Sequence, residues 1–518
     1  MSGRRVAGLM ALGAVALTAC YPPFRLPPLS FFAITPAVLL VRQVAESADP
    51  RGAFRWGWWY GLATQGLVLY WMIVALWHFT PLSALGYIAT VAVLGLATGG
   101  LFWFVVRLRL AAPAVPLWAV LPVAWTALEW LIGHLGDVSF PWLGLGTSLA
   151  DAPVLVQWAD LAGARGVTLW VAWCNVMIVE GALGMRDAGS GMRGSLLRFV
   201  APVGASILLA LGYGAWRMAT LPQREVGVVG MIQPNEGFRE KWEPEHQNAV
   251  VAKLLAMSRQ VMALGRPQLV VWPEAAMPGY LFQNPGWDEA ISDLAGASHT
   301  PILAGGLHAD PHVPPPIPYY NAAFLYDSTG GRGSHPVYAK HYLVPITERV
   351  PFVPVRWLRR VPGLGRWSGG FARGRDLPVY ETAIGRFGVV ICYESAFEDL
   401  PRRYRRAGAD FLVNITNDAW FGRTAAPYQH ESHLVLRAIE TRMGVARAAN
   451  SGITEFVDPL GRAYASTQLE TMTVVADRLR TSDVVPLYVR LGDWVGLVSV
   501  VGTLTLAGLL FALRRATP

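Results

Sequence analysis

An α/β domain carried on a bundle of membrane-spanning helices is the fold class this sequence predicts, and three observations predict it. The hydrophobic fraction is 53% and only 15% of the 518 residues are charged, where ordinary soluble domains carry about 25% charged residues. The apolar residues gather in the first 220 positions and at the C-terminal end, whereas 220–488 has globular composition. Within that stretch, continuous apolar runs alternate with segments of helical spacing, the pattern of a sheet covered by helices.

A spanning helix needs about 20 mostly apolar residues. Eight stretches qualify, near 6–22, 27–43, 56–79, 85–106, 115–133, 165–184, 199–219 and 490–513, the first two short and separated by Tyr21-Pro22-Pro23. Arginine sets their orientation. With eight spans, Arg4 and Arg5, then Arg42, Arg51 and Arg55, then Arg107 and Arg109, then Arg186, Arg193 and Arg198, and finally Arg514 and Arg515 all fall on one side. The opposite loops are poor in arginine; 134–163 offers mainly the acids Asp137, Asp151 and Asp160. Both termini are therefore expected in the cytoplasm and the domain between the last two spans outside it, which is the periplasm for a bacterial inner-membrane protein. The expected boundaries are 1–220 for helices one to seven, 221–488 for the extramembrane domain, and 489–518 for helix eight and a tail. Leu17-Thr18-Ala19-Cys20 after two arginines imitates a lipoprotein signal peptide, but cleavage there would remove the first span and upset the charge alternation. The aromatics Trp56, Trp58, Trp59, Tyr60, Tyr70, Trp71 and Trp77 suit an interfacial belt.

The net charge of +8 follows from arginines flanking the spans, and no basic recognition helix points to nucleic acid. Cys20, Cys174 and Cys392 lie far apart, with no disulfide framework or paired metal spacing.

In the extramembrane domain, 225–235 reads as a buried strand ended by a turn, followed by a helix over 244–264. Gln268-Leu269-Val270-Val271-Trp272-Pro273-Glu274 is a second strand with an acid just past its end. Further strands fit 301–306, 321–327, 386–392, 410–415, 453–458 and 472–476, and helices fit 286–297, 395–407 and 427–447. Hairpin-like pairs make the sheet mixed.

Active groups in such folds gather at the carboxyl ends of strands. Glu274 and Cys392 both stand there, and Lys340 lies between them in Tyr338-Ala339-Lys340-His341-Tyr342. Of 43 basic residues only Lys241, Lys253 and Lys340 are lysine, so a compact ammonium at 340 is a choice against the broad guanidinium fork. An acid, a lysine and a thiol together permit acyl transfer. The carboxylate takes the thiol proton, the sulfur attacks an ester or amide, and the lysine, with a backbone N–H after the cysteine, steadies the oxyanion. Alone, a cysteine ending an apolar strand is more often a small core residue; the three groups in order and context carry the reading.

Trp272-Pro273-Glu274, Lys340-His341 and Cys392-Tyr393-Glu394 resemble the Glu–Lys–Cys signature of the nitrilase superfamily. Asn417-Asp418-Ala419-Trp420-Phe421-Gly422, Gln429-His430, and Lys340 running on to Glu348 narrow the resemblance to the apolipoprotein N-acyltransferase family. The resemblance implies an α/β nitrilase-like α-β-β-α sandwich inserted into an eight-helix transmembrane bundle. It implies Glu274 as base, Lys340 as oxyanion stabiliser and Cys392 as the nucleophile that takes an acyl chain from a phospholipid. The α-amine of a diacylglyceryl-modified apolipoprotein cysteine then accepts the chain. Glu348, Tyr393, Glu394 and Trp242 match positions important in the family; Glu348 would position Lys340 or assist proton transfer, and Trp242 would pack on an acyl chain or cap the following helix. Ile346-Thr347 departs from a common Phe-Gly and leaves the loop shape open.

Two segments suit a membrane surface: 278–287 beside Glu274, and 350–375, where Phe352, Val353, Trp357, Leu358 and Trp367 mix with six arginines. His430 and His433, like His308 and His312, lack a third ligand at metal spacing, so neither metal nor other cofactor is expected. The alternatives are a membrane-tethered nitrilase-type amidase acting on a small amide, which needs an open wet pocket, and a non-catalytic membrane scaffold, which has no use for the triad.

Overall fold

The computed structural model describes residues 3–77, 84–187, 192–309, 317–332, 335–351 and 370–516. The chain divides into two compact units. One comprises Met1–Leu135, Phe140–Thr220 and Asp493–Pro518, the other Gly136–Ser139 and Leu221–Gly492.

The first unit is helical. Six of its described helices are long and apolar enough to cross a membrane: Gly3–Cys20, Pro27–Glu46, Leu85–Ala111, Ala159–Arg186, Arg193–Thr220 and Trp494–Arg515. Pro50–Val68 and Trp71–Trp77 pass together as a broken span bent by 62°, which makes seven, and the apolar helix Leu117–Gly133 falls short of a span at 17 residues. All eight predicted stretches are helical, although 78 and 79 of the third lie outside the described residues. Proline sets the shortness of Leu117–Gly133, because Pro116 stands at its N-cap and has no N–H with which to continue a helix backwards. Small residues bring two helices together: a Cβ on Gly61 would stand 2.7 Å from Gly95 Cα, a close approach typical of helices without a hydrophobic drive between them. Polar ties complete the packing. Asn175 accepts from Ile34 N at 3.0 Å and donates to Ser30 O at 2.9 Å. Glu129 takes Trp125 Nε1, Leu145 N, Arg165 Nη1 and Thr168 Oγ1 within 3.0 Å. Of the predicted aromatic belt, Trp59 and Trp77 are exposed while Tyr60 and Trp71 are buried. Cys20 is buried, its thiol on Ala16 O.

The second unit holds two six-stranded sheets. Its strands are β1 (Arg224–Gln233), β2 (Leu269–Val271), β3 (Ile302–Ala309), β4 (Tyr319–Tyr326), β5 (Tyr338–Ala339), β6 (Tyr380–Thr382), β7 (Gly385–Ile391), β8 (Phe411–Thr416), β9 (Gly444–Ala449), β10 (Glu455–Val457), β11 (Ala463–Tyr464) and β12 (Thr473–Thr481). The orders are β12-β1-β2-β3-β4-β5 and β11-β10-β9-β8-β7-β6. Both sheets are mixed and share one pairing pattern. In the first, β1, β2 and β3 are parallel, with β12 antiparallel on one flank and β4 and β5 antiparallel on the other. In the second, β7, β8 and β9 are parallel, flanked by β6 and by β10 and β11.

Strands β1 and β12 contact β9, so the sheets face each other. Helices Pro244–Gly265 and Pro285–Ser298 cover the first sheet, and Asp399–Arg406 and Ala426–Thr441 the second. The periodic apolar positions of Pro244–Gly265 explain its seat: Val250, Leu254, Met257 and Val261 pack with Ile232, Val270, Trp272 and Ile302 in one buried cluster.

Two predicted helices differ. The one expected over 427–447 ends at Thr441, where Arg442 turns left-handed at φ 54°, and Gly444–Ala449 is strand β9. Gly-Val-Ala-Arg-Ala-Ala has helical propensity, but pairing with β8 and β10 on a fully buried face overrides it. The one expected over 395–407 is split into a 3₁₀ turn, Cys392–Ala396, and a short helix, Asp399–Arg406. In the segment 278–287, Tyr280 and Trp287 are half-buried: the Tyr280 ring lies 5.3 Å from that of Tyr319, tilted by 50°, and Trp287 Nε1 donates to Asn248 Oδ1 at 2.8 Å. Of 350–375, residues 352–369 lie outside the described residues, as does His312.

Candidate active site

The parallel strands end at one place. Glu274 follows β2, Cys392 follows β7, Asn417 follows β8 and Lys340 follows β5, and the structure brings their side chains or backbones together. Lys340 is 1% exposed and its Nζ stands 3.0 Å from Glu274 Oε1 and 3.0 Å from Glu348 Oε1. Burial alone would push this ammonium down, but the two carboxylates more than offset it, and its pKa lies well above the ordinary lysine value.

Three further groups fix the acids. Asn321 Nδ2 donates to Glu274 Oε1 at 2.7 Å and to Glu348 Oε1 at 3.0 Å. Asn417 N donates to Glu274 Oε2 at 2.9 Å, and Val344 N to Glu348 Oε2 at 2.8 Å. Glu274 sits tight against β3: a Cβ on Gly305 would meet Pro273 O at 2.2 Å and Glu274 Cα at 2.9 Å, so only glycine lets the strand pass this close. Asn321 was invisible to sequence reasoning, because Tyr319-Tyr320-Asn321 reads only as strand. Its register opposite Leu307 and beside Lys340 makes its place.

Cys392 is 3% exposed and takes φ 51° at the turn from β7 into the 3₁₀ helix. A non-glycine residue in the left-handed region is uncommon and is retained where its surroundings impose it. Burial first, then the charges of Glu274 and Asp418, push its thiol well above the ordinary range; Lys340 and a hydrogen bond with Thr416 pull the other way. Cys392 therefore rests as a thiol, and a base beside it would be needed to make it a nucleophile. Glu394 clamps the two loops that carry Cys392 and Lys340. It accepts from Ile391 N at 2.7 Å, Tyr338 Oη at 2.6 Å, His341 N at 2.5 Å and Tyr342 N at 3.1 Å. Burial raises its pKa to about 7 against those bonds.

Tyr393 is buried, with its hydroxyl on Ser139 O at 2.8 Å. Ile346 takes φ 70° in the tight turn that presents Glu348, closed by Glu348 N to Val344 O at 3.0 Å; this is the loop whose sequence departs from the common pattern. Trp242 is 37% exposed. It does not cap the next helix, whose N-cap residue is Glu243; its ring lies 4.9 Å from Lys241 Nζ.

Behind Cys392, Asp418 is held by His430 Nδ1 at 2.9 Å, Arg447 Nη2 at 2.9 Å and Thr416 Oγ1 at 3.0 Å. Cys392, Asp418 and His430 have ligand-type atoms within 4.8 Å of one another. Arg447 Nη2, 3.3 Å from His430 Nδ1 as well, already serves Asp418, and a guanidinium inside the group repels a dication. Burial would raise the Asp418 carboxyl, but His430 and Arg447 beside it, with the hydrogen bonds from His430 and Thr416, hold it below its usual value.

Residues 226–486 match the carbon-nitrogen hydrolase family, which accounts for the two-sheet, nitrilase-like unit. Residues 13–177 match the apolipoprotein N-acyltransferase N-terminal domain. The chain is 33% identical over 516 residues to the apolipoprotein N-acyltransferase of Geobacter metallireducens, covering 97% of this chain and 95% of that one. It is 31% identical to that of Chlorobaculum tepidum, over 86% of this chain and 85% of the other. Nit3 of Saccharomyces cerevisiae, a solved nitrilase-superfamily structure, aligns with 57% of this chain and 96% of its own at 17% identity and a TM-score of 0.39. The chain belongs to the apolipoprotein N-acyltransferase family.

Proposed function

We propose that this enzyme transfers a fatty acyl chain from a phospholipid, through a thioester on Cys392, to the α-amine of the N-terminal diacylglyceryl-cysteine of apolipoproteins. The observation that carries the reading is the buried Lys340 ammonium held 3.0 Å from both Glu274 and Glu348 at the strand ends that present Cys392. Glu274 takes the Cys392 proton as Sγ attacks the ester carbon. Lys340 Nζ and the Tyr393 N–H meet the oxyanion. The ester C–O bond breaks and Glu274 returns the proton to the departing lysophospholipid oxygen. The neutral acceptor amine then attacks the thioester, Glu274 takes its proton, and the C–S bond breaks as Cys392 is reprotonated. Glu348 and Glu394 position Lys340, and Trp242, 37% exposed, packs on an acyl chain.

We further propose that the eight apolar stretches cross a bacterial inner membrane, with both termini in the cytoplasm, the domain 221–488 in the periplasm, and 1–220 and 489–518 as the membrane parts. The helical stretches and the one-sided arginines support this reading. The test is mass spectrometry of the purified enzyme incubated with phospholipid and no acceptor. A fatty-acyl adduct on Cys392, released by hydroxylamine and absent from folded Cys392→Ala, is expected. An unmodified Cys392 in folded protein refutes the lipid-donor mechanism and favours an amidase.

A further inference from the structure

Lys241 is a buried cation that the mechanism leaves unused. It is 2% exposed, in a 3₁₀ turn ahead of helix Pro244–Gly265. Its Nζ donates to Ala275 O at 2.8 Å, and the same ammonium lies 4.9 Å from the Trp242 ring. Ala275 is the residue after Glu274 and takes φ 47°, a conformation that an alanine holds only under outside constraint. The three lysines of the chain also gather here. Lys340 pairs with Glu274 and Glu348, Lys241 holds the Ala275 carbonyl, and Lys253 pairs at 2.7 Å with Glu236, whose charge acts on Lys241. In a sequence whose other 40 basic residues are arginine, a compact ammonium on a flexible stem stands at each of these three positions.

We propose that Lys241 is a positioning residue for the base: its ammonium pins the left-handed Ala275 turn, sets Glu274 against Lys340 and Cys392, and favours the Glu274 carboxylate by its charge. Trp242 shields that ammonium from water and thereby acts on Glu274 through it. The charged and titratable groups around Glu274 are Lys340, Glu348, the Cys392 thiol and Lys241, with Asp418 beyond the thiol; those acting on Lys241 are Glu274 and Glu236. Burial pushes Lys241 down to about 8 against both acids, so it carries its charge at neutral pH and below.

This inference rests on Glu274 acting as base for Cys392, and the test separates the two. The full-length enzyme in detergent is treated with iodoacetamide across pH, and alkylation of Cys392 is followed by peptide mass spectrometry. The wild type is expected to show an acid limb that Glu274→Gln abolishes. Lys241→Met removes a positive charge that favours the carboxylate, so the limb moves up by about one pH unit, read as about a tenfold loss on the limb. Lys241→Arg, which keeps the charge, restores the limb toward its wild-type place. A limb unmoved in Lys241→Met, with only a uniform fall in rate, overturns the inference. Should that variant not fold, Lys241→Gln is read the same way. Failure of both to fold also overturns it, since Lys241 then serves the fold rather than the base. A wild type with no Glu274-dependent limb overturns the base assignment along with it.

Discussion

Replacing Asn321 by alanine tests the construction of the site at its least conspicuous member. One amide nitrogen reaches Glu274 Oε1 at 2.7 Å and Glu348 Oε1 at 3.0 Å, and the residue is 4% exposed. Hydrogen bonds to charged groups contribute roughly 1.5–3 kcal/mol each, so two of them set a ceiling of about 3–6 kcal/mol. Glu274 keeps Lys340 and the Asn417 N–H after the change, so about half of that is expected to appear as lost orientation, or a fall of roughly 10- to 10²-fold in the rate of Cys392 acylation. Donor affinity should hardly change, because the amide faces the two acids. Asn321→Asp supplies a sharper sign. It sets a third carboxyl beside two carboxylates and one ammonium, which like charge and burial keep protonated to unusually high pH. While neutral, its hydroxyl restores one donor; once ionised, it repels both acids. Activity of the aspartate variant relative to wild type should therefore rise as pH falls. The assay is time-resolved intact mass of the acyl-enzyme, with a thermal melt to show folding. Acylation within twofold of wild type in Asn321→Ala refutes the view that the amide holds the acids in place.

Glu394 has a pKa of about 7 in the fold against an ordinary 4.5. A raised carboxyl favours folding in full below about 4.5 and loses that contribution as pH climbs through 7, a span worth about 3 kcal/mol. The melting temperature of the wild type should carry this fall, and Glu394→Gln should flatten it while unmaking part of the clamp on His341 N and Tyr342 N. No difference in pH slope between the two proteins counts against a proton on Glu394. Gly305→Ala should cut Cys392 acylation at least tenfold and lower the melting temperature, because its Cβ would press on Pro273 O and Glu274 Cα; an unaltered rate would mean that β3 can retreat without moving the acid.

Much of the unit was legible where one physical rule spoke alone. Continuous apolar runs ending at Glu274 and Cys392 marked buried strands of a helix-covered sheet and placed both groups at their carboxyl ends. Local signals were in conflict at β9, where alanines favour helix and only pairing with β8 and β10 decides. The facing of two sheets was not legible from periodicity, since β1 and β9 meet across more than 200 residues; it came only with the resemblance. Asn321, Gly305 and Lys241 escaped for the same reason: each acts on Glu274 through a long-range approach, and each looks ordinary among its sequence neighbours. Among the spans, length and hydropathy located every helix, but the break at Leu69-Tyr70 and the short Leu117–Gly133 carry no strong mark in composition.

The raised thiol of Cys392 has a consequence for the enzyme's survival. Oxidants and disulfides attack the thiolate form, and susceptibility follows thiolate character and exposure. In the periplasm, where we propose this domain stands, it would live among oxidants with no glutathione pool to repair it. Buried at 3% exposure and protonated at rest, Cys392 offers such reagents little to react with. On the proposed mechanism the sulfur is unmasked only when a substrate ester and Glu274 flank it together, so the same burial that makes a base necessary would keep the thiol reduced between turnovers.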